Sequence, residues 1–402
     1  MIIFHEGYRP SYTNPKIYVA SEYTAHLSVS NFNNTENKSV TIDKSNAEYN
    51  LSHSVLPSNG ISLAGVVLHS DIRINVYGFL YQGQVSEGFL SMPLRFASTK
   101  YIIPTLPAYG IDYGYKNLIA LTPVFQNTVV NLNLKLKSGS ITYKNKRYYN
   151  NDTIRLVINK YSTFQLSHTS DLSGTLVTAS KPVIVVSGNQ CNFAGATHFG
   201  NCQAFIESVF PTDQLDNLFI TPHISTRLNN TVRIQSINST YLTIKTGNNK
   251  TSKTLNARDF LDFYYNTISI IFASDDVLVE SYPYGLIGSK GDPFMMTIPG
   301  VNQYLHEYDF VVPTGFDSFI SITVQSDAID GFLLDGNSSN IRSGIFSISE
   351  GSNHFSTFSM SISTGFHHIE HRTNIRFGLW VYGNGGLDGY GYPAGMAYKI
   401  FN

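Results

Sequence analysis

The chain has 402 residues, 42% of them hydrophobic, which suffices for a large buried core and, at about 150 residues per domain, for two to four domains. Charged residues make up only 14% against a typical ~25%, and Tyr and Phe number 26 each, so the polar surface rests on Ser, Thr, Asn and Gly. A net charge of −1 with no Lys/Arg cluster excludes an electrostatic nucleic-acid binder, and no run reaches the roughly 18 apolar residues that insert in a membrane as a helix.

The opening MIIFHEGYRPSY lacks the basic and long apolar parts of a signal peptide, so a removed leader or an excised fragment is expected. Strand alternation begins near Tyr18 and continues through His26-Leu27-Ser28-Val29-Ser30, with a polar turn over 31–38 and a strand over 39–42. Residues 66–77 read as a hairpin in which Ile72, Ile74 and Val76 face one way and Arg73, Asn75 and Tyr77 the other. Strands follow at 129–134 and within 142–149. Residues 175–179 and 183–186, on either side of Ser180-Lys181-Pro182, predict a second hairpin. Pro211 then precedes a strand at 218–221 that ends at Pro222, where a missing N–H suits a strand terminus. Further strands are expected at 232–235, 241–244, 319–324, 345–348 and 358–362, and the one candidate helical turn, 255–261, reads equally well as a loop. Short strands punctuated by Gly, Asn and Pro predict an all-β fold of antiparallel, sandwich-like units.

The order strand, turn, strand, polar loop, proline, strand, proline recurs in residues 64–104, 174–222 and 268–313 and begins again at 372–393. Pro93 to Pro104 and Pro211 to Pro222 are both 11 apart, and Pro299 to Pro313 is 14 apart. The expectation is four tandem related repeats bounded at 1–104, 105–222, 223–313 and 314–402.

Cys191 and Cys202 flank NFAGATHFGN at a spacing that fits neither a redox C-x-x-C nor a thiol zinc cluster; a disulfide is expected, with zinc through His198 the alternative. Asn-x-Ser/Thr acceptors at Asn33, Asn37, Asn50, Asn151, Asn229, Asn238, Asn249 and Asn337 point to a secreted, extracellular glycoprotein.

KPVIVVSGNQC…C, VFPTDQL with FITP, DPFMMTIP…Y…FVVPT, AIDGFLLDG and the closing TNIRFGLWVYG…GYGYPAG together resemble the N-terminal domain of the IgGFc-binding protein family. The resemblance covers essentially the whole chain and rests on the order of the motifs. It implies a secreted domain of the kind that heads large mucus-associated proteins in vertebrates, with Cys191 and Cys202 as its structural bridge. No catalytic residue transfers.

Three motifs invite an enzymatic reading. His367-His368-Ile369-Glu370-His371 is a literal H-x-x-E-H, but that zinc chemistry needs a helix and the flanks read as strand, so a solvated strand face is expected. Gly291-Asp292-Pro293-Phe294 ends in Phe where self-cleaving Gly-Asp-Pro-His has His, and reads as a turn. Asp275 and Glu280 offer a carboxylate pair of the kind a glycosidase uses, and the acidic loops 327–330 and 335–337 offer calcium ligands, though turn chemistry explains both loops. The reading is a non-catalytic binding or adhesion module without cofactor or metal, engaging extracellular glycoproteins or glycans, with a lectin or carbohydrate-active enzyme as the alternative. Tyr109, Tyr113 and Tyr115 in one loop and Tyr390 and Tyr392 in another are the candidate contacts, since Tyr offers rigid amphipathic area and Gly an adaptable backbone.

Overall fold

Residues alternating apolar and polar become strands with one dry face: along Thr153–Ile158, Ile154, Leu156 and Ile158 are buried while the residues between them are exposed. The computed structural model describes residues 1–8, 10–31, 38–44, 47–81, 83–109, 114–195, 201–227, 229–286, 291–338 and 343–400. Among these the fold is all-β and antiparallel, with short 3₁₀ turns and no α-helix. The candidate helical turn at 255–261 is the turn between strands Asn249–Leu255 and Phe260–Tyr265.

The expected hairpins do not form. Leu176–Asn192 is one continuous strand, and 180–182 is where it changes partners. Its first residues pair with Thr128–Asn133 and Ser98–Ile102, and from Val183 it pairs with Asn117–Pro123 and then Gln203–Ser208. The register shifts between Thr178 and Val183, so Pro182 sits where the ladder is already interrupted and its missing N–H leaves no gap. Ser269–Pro283 does the same, passing from Thr240–Thr246 and Asp216–Ile220 to Asn230–Ser236 and Met296–Thr297. Val66–Ser70 pairs with Ala25–Asn31 and bridges to Ile2, and its continuation Asn75–Tyr81 pairs with Asn14–Ala20 and Ser86–Leu90. Gly365–His371 pairs with Glu307–Val312 and Phe332–Leu334, whereas Gly378–Asn384 pairs with Asp317–Gln325 and Gly389–Pro393.

Three strands that precede a proline, Ser98–Ile102, Asp216–Ile220 and Glu307–Val312, therefore join the sheet of the stretch that follows them. The inner strands close a circuit: Ser86–Leu90 packs on Gln203–Ser208 and Gly389–Pro393, and Met296–Thr297 packs on the same two. The pairing of Leu176–Asn192 with Gln203–Ser208 dictates Gly188, where a Cβ would lie 1.7 Å from the Phe205 carbonyl oxygen.

Burial follows the circuit. One hydrophobic cluster takes in Phe4 and Phe79, Ile119 and Val185, and Ile320 and Tyr390; a second joins Phe219, Ile234 and Ile271 to Phe294, Trp380 and Tyr382. Trp380 Nε1 donates to the Thr297 carbonyl at 3.1 Å. Arg233, 1% exposed, binds Asp262 through two N–H donors at 2.7 Å and Asp171 at 3.0 Å, tying the strand at 230–236 to the loop at 171–173.

Candidate functional site

The larger of the two described clefts, about 580 Å³, is lined by Tyr8, Tyr12, Gln84, Val85, Phe193, Asn201, Cys202 and Leu387. Its rim is set by the neck of a covalently closed loop. Asn192 pairs with Gln203 across the two strands, and the residues that precede them in the chain, Cys191 within its strand and Cys202 on the loop side, form a disulfide with Cα atoms 5.1 Å apart. The expected bridge is present, and closing a loop of this length stabilises by about 3 kcal/mol in the chain-entropy model. Within the neck, Asn192 accepts from the Ala194 amide at 2.8 Å and donates to the Pro107 carbonyl at 2.6 Å, which anchors 106–109 beside the loop.

Aromatic rings follow from that anchoring. The Tyr109 amide donates to the Cys191 carbonyl at 2.8 Å, and its ring meets Phe193 edge-to-face at 4.5 Å. Tyr115 and Tyr8 stand 5.4 Å apart with their hydroxyls 3.0 Å apart, and Tyr12 is 70% exposed. Of the first tyrosine loop, Tyr109 and Tyr115 thus border the cleft, and Tyr113 lies outside the described residues. Tyr8, Tyr12 and Phe193 are not among the sequence candidates; the first two stand in the aromatic GYRPSY, and Phe193 follows Cys191 by two residues.

Beneath the rings the wall is rigid and polar. The Ser86 amide and hydroxyl both donate to Asp388, at 2.7 and 2.6 Å. Gln203 donates to Asp388 at 2.9 Å and to the Ser86 and Gly389 carbonyls at 2.6 and 3.0 Å. These bonds lock the backbone next to Val85, Cys202 and Leu387. The Asn201 amide donates to Asp292 at 2.7 Å, and burial pushes the Asp292 carboxyl up to about 7. Burial also raises Asp388. Gly291-Asp292-Pro293-Phe294 is accordingly more than a surface turn: Asp292 is fully buried, and its carbonyl accepts from Arg227 at 2.9 Å.

Other expectations need correction. Tyr390 and Tyr392 are core residues at 0% exposure: Tyr390 packs on Phe79 and Phe316, and Tyr392 packs on Tyr77 and donates to the Val311 carbonyl. The inner-strand circuit covers both faces of Gly389–Pro393, so neither ring reaches a ligand. The strand Gly365–His371 turns His367 and His371 inward, against the solvated face expected for them. His367 Nδ1 meets the Asp335 carboxylate at 2.8 Å and His371 Nε2 meets the Asp330 backbone carbonyl at 2.8 Å, so Asp335, considered for calcium, holds a histidine with its acid group. Glu280 is fully buried against the Thr297 hydroxyl, while Asp275 accepts from Asn238, which separates the glycosidase pair. Neither residue lines the aromatic cleft, whose lining residues include no Asp or Glu.

Of the glycosylation acceptors, Asn50, Asn151, Asn238, Asn249 and Asn337 are exposed, Asn229 is half-buried with its side-chain oxygen on the Tyr264 hydroxyl, and Asn33 and Asn37 lie outside the described residues.

The chain matches the family model described as IgGFc binding protein over residues 87–383. It is 25% identical to the human (Homo sapiens) IgGFc-binding protein across 97% of this chain, and it spans 7% of that relative's length. Likeness to solved structures is slight: the chemokine binding protein R17 of rodent gammaherpesvirus Peru superposes with a TM-score of 0.17 at 9% identity, covering 79% of this chain and 90% of that one. An anti-sigma factor domain-containing protein from Clostridium clariflavum gives 0.13 at 8% identity, covering 55% and 85%. The family-model match, over most of the chain's length, places it in the IgGFc binding protein family.

Proposed function

We propose that the chain is a secreted, non-catalytic binding module whose ligand, an extracellular protein or its glycans, docks in the aromatic cleft beside the Cys191–Cys202 loop. The observation that carries this reading is the cleft: Tyr8, Tyr12 and Phe193 present ring surface above a wall fixed by the Ser86–Asp388–Gln203 bonds. Rigid rings on a preorganised wall lose little entropy on binding. The exposed Asn-x-Ser/Thr acceptors support secretion as a glycoprotein. The relative's name states that it binds IgG Fc, which makes immunoglobulin one ligand to screen. The common pairing scheme of two partner-changing strands, 176–192 and 269–283, and two consecutive strand pairs, 66–81 and 365–384, supports reading the chain as four related units, with boundaries moved so that each strand before a proline counts with the following sheet.

The test is a binding screen of the glycosylated chain against immobilised immunoglobulin, mucins and glycans, repeated with Tyr12→Ala and Tyr109→Ala. Aromatic contacts of this kind contribute enough that each truncation should weaken a genuine interaction about tenfold or more. A ligand whose affinity ignores both substitutions removes the cleft from the proposal, and turnover of a glycan refutes the non-catalytic reading.

A further inference from the structure

We propose that Glu307, His368 and Glu370 form a binding site for a divalent metal ion of the zinc class. Glu307 and Glu370 are directly opposite each other in the pairing of Glu307–Val312 with Gly365–His371, and Asp309 is directly opposite His368. Residues two apart on a strand share a face, so all four side chains belong to the outward face, opposite buried His367, Ile369 and His371. One ligand atom from each of Glu307, His368 and Glu370 lies within 4.8 Å of the others. Around a tetrahedral zinc such atoms stand about 3.4 Å apart, given bond lengths of about 2.1 Å, and these part-exposed side chains reach that by small rotations.

The arrangement is costly without a cation. Two carboxylates directly opposite on paired strands repel. Among the described residues no Lys or Arg pairs with either, although the chain forms such pairs elsewhere, as in Lys245 and Lys250 with Glu350. The third strand of the sheet brings Leu333, not a base, beside Glu370.

His368 is held as a metal-ligating imidazole is held. Its Nδ1 meets Asp309 Oδ1 at 2.7 Å. A proton shared in that contact leaves the Nε2 lone pair open, the carboxylate–histidine–metal relay that fixes a tautomer and raises ligand basicity. An imidazole in the set selects zinc-class ions over calcium, which takes oxygen ligands. Three protein ligands leave a fourth position for water or a ligand atom. Glu307 and Asp309 also line the second cleft, about 190 Å³, with Tyr23, Arg73 and Asn75, so donors from a bound molecule can approach.

The ligand set differs from the one that H-x-x-E-H suggests. On a strand its terminal histidines face the core, and the second histidine and the glutamate, two apart, take their place with a glutamate from the neighbouring strand.

The experiment is calorimetric titration of the chelator-treated chain with zinc chloride, and separately with calcium chloride, for the wild type, Glu307→Gln/Glu370→Gln and Asp309→Asn. The expected result is one zinc per chain that is lost in the double variant and weakened roughly 10- to 100-fold in Asp309→Asn, with no matching calcium isotherm. Circular dichroism checks that the variants fold; should one not, X-ray absorption of the zinc-loaded wild type decides, the proposal requiring a single imidazole and oxygen donors. Absence of zinc binding up to about 0.1 mM, binding unchanged in the double variant, equal affinity for calcium, or a shell of several imidazoles each overturns the site.

Discussion

Replacing Glu280 by Gln tests whether the inner circuit is built around neutral carboxyls. Glu280 is fully buried on the strand Ser269–Pro283; its Oε1 accepts from the Thr297 hydroxyl at 3.1 Å, and its Oε2 has no partner among the described residues. Burial drives its carboxyl well above the ordinary value of 4.5, and Glu207 is raised by burial, then by Glu280 and by Glu87, itself raised by burial. A raised carboxyl keeps its proton in the native state while the unfolded chain releases it. Stability from this group is therefore complete below about pH 4.5 and is lost as pH rises toward the native value. The slope is about 1.4 kcal/mol per pH unit for each such group, or about 2.7 kcal/mol between pH 5.5 and 7.5 while the native proton is held. Gln copies the neutral acid in shape, keeps the Thr297 bond and has no proton to lose. Urea unfolding at both pH values should show the wild type losing up to that much more stability than Glu280→Gln. Parallel curves, within about 0.5 kcal/mol, would show that Glu280 is ionised in the native protein and that the argument from burial fails.

Two further measurements probe the cleft and the core. Cys191→Ser/Cys202→Ser should cost about 3 kcal/mol in chemical denaturation and weaken ligand binding at the aromatic cleft, because the loop neck carries Phe193 and Asn201; unchanged binding would detach the loop from the site. Tyr392→Ala should destabilise by roughly 3–5 kcal/mol, as for other large buried rings. Tyr12→Ala at a 70% exposed position should stay within about 0.5 kcal/mol, and a reversed order in thermal melts would contradict the assigned burial.

The all-β character, some of the strand positions and the disulfide were legible in the sequence because each has a local cause: period-two alternation, turn residues between runs, and two cysteines a short loop apart. Where strands went was not legible. Residues 175–179 and 183–186 carry the same apolar signal whether the chain turns back at Pro182 or runs straight on, since local propensity leaves the partner unspecified. The same limit misplaced Tyr390 and Tyr392. A Gly-Tyr-Gly-Tyr run reads as an exposed loop until strands 86–90 and 296–297 are brought against it from regions far away in the chain.

The candidate sites divide likewise. Sequence alone supplied Tyr109, Tyr115 and the cysteines, and it flagged 367–371 for its histidines. Tertiary structure decided that Tyr8, Tyr12 and Phe193 meet them at one cleft, and that His368 and Glu370, not His367 and His371, face Glu307. Composition and periodicity fix which residues form strands, because those terms act over a few residues. Which face of a strand is wet, and which side chains share it, depends on contacts between residues far apart in the chain, and only the folded packing sets those.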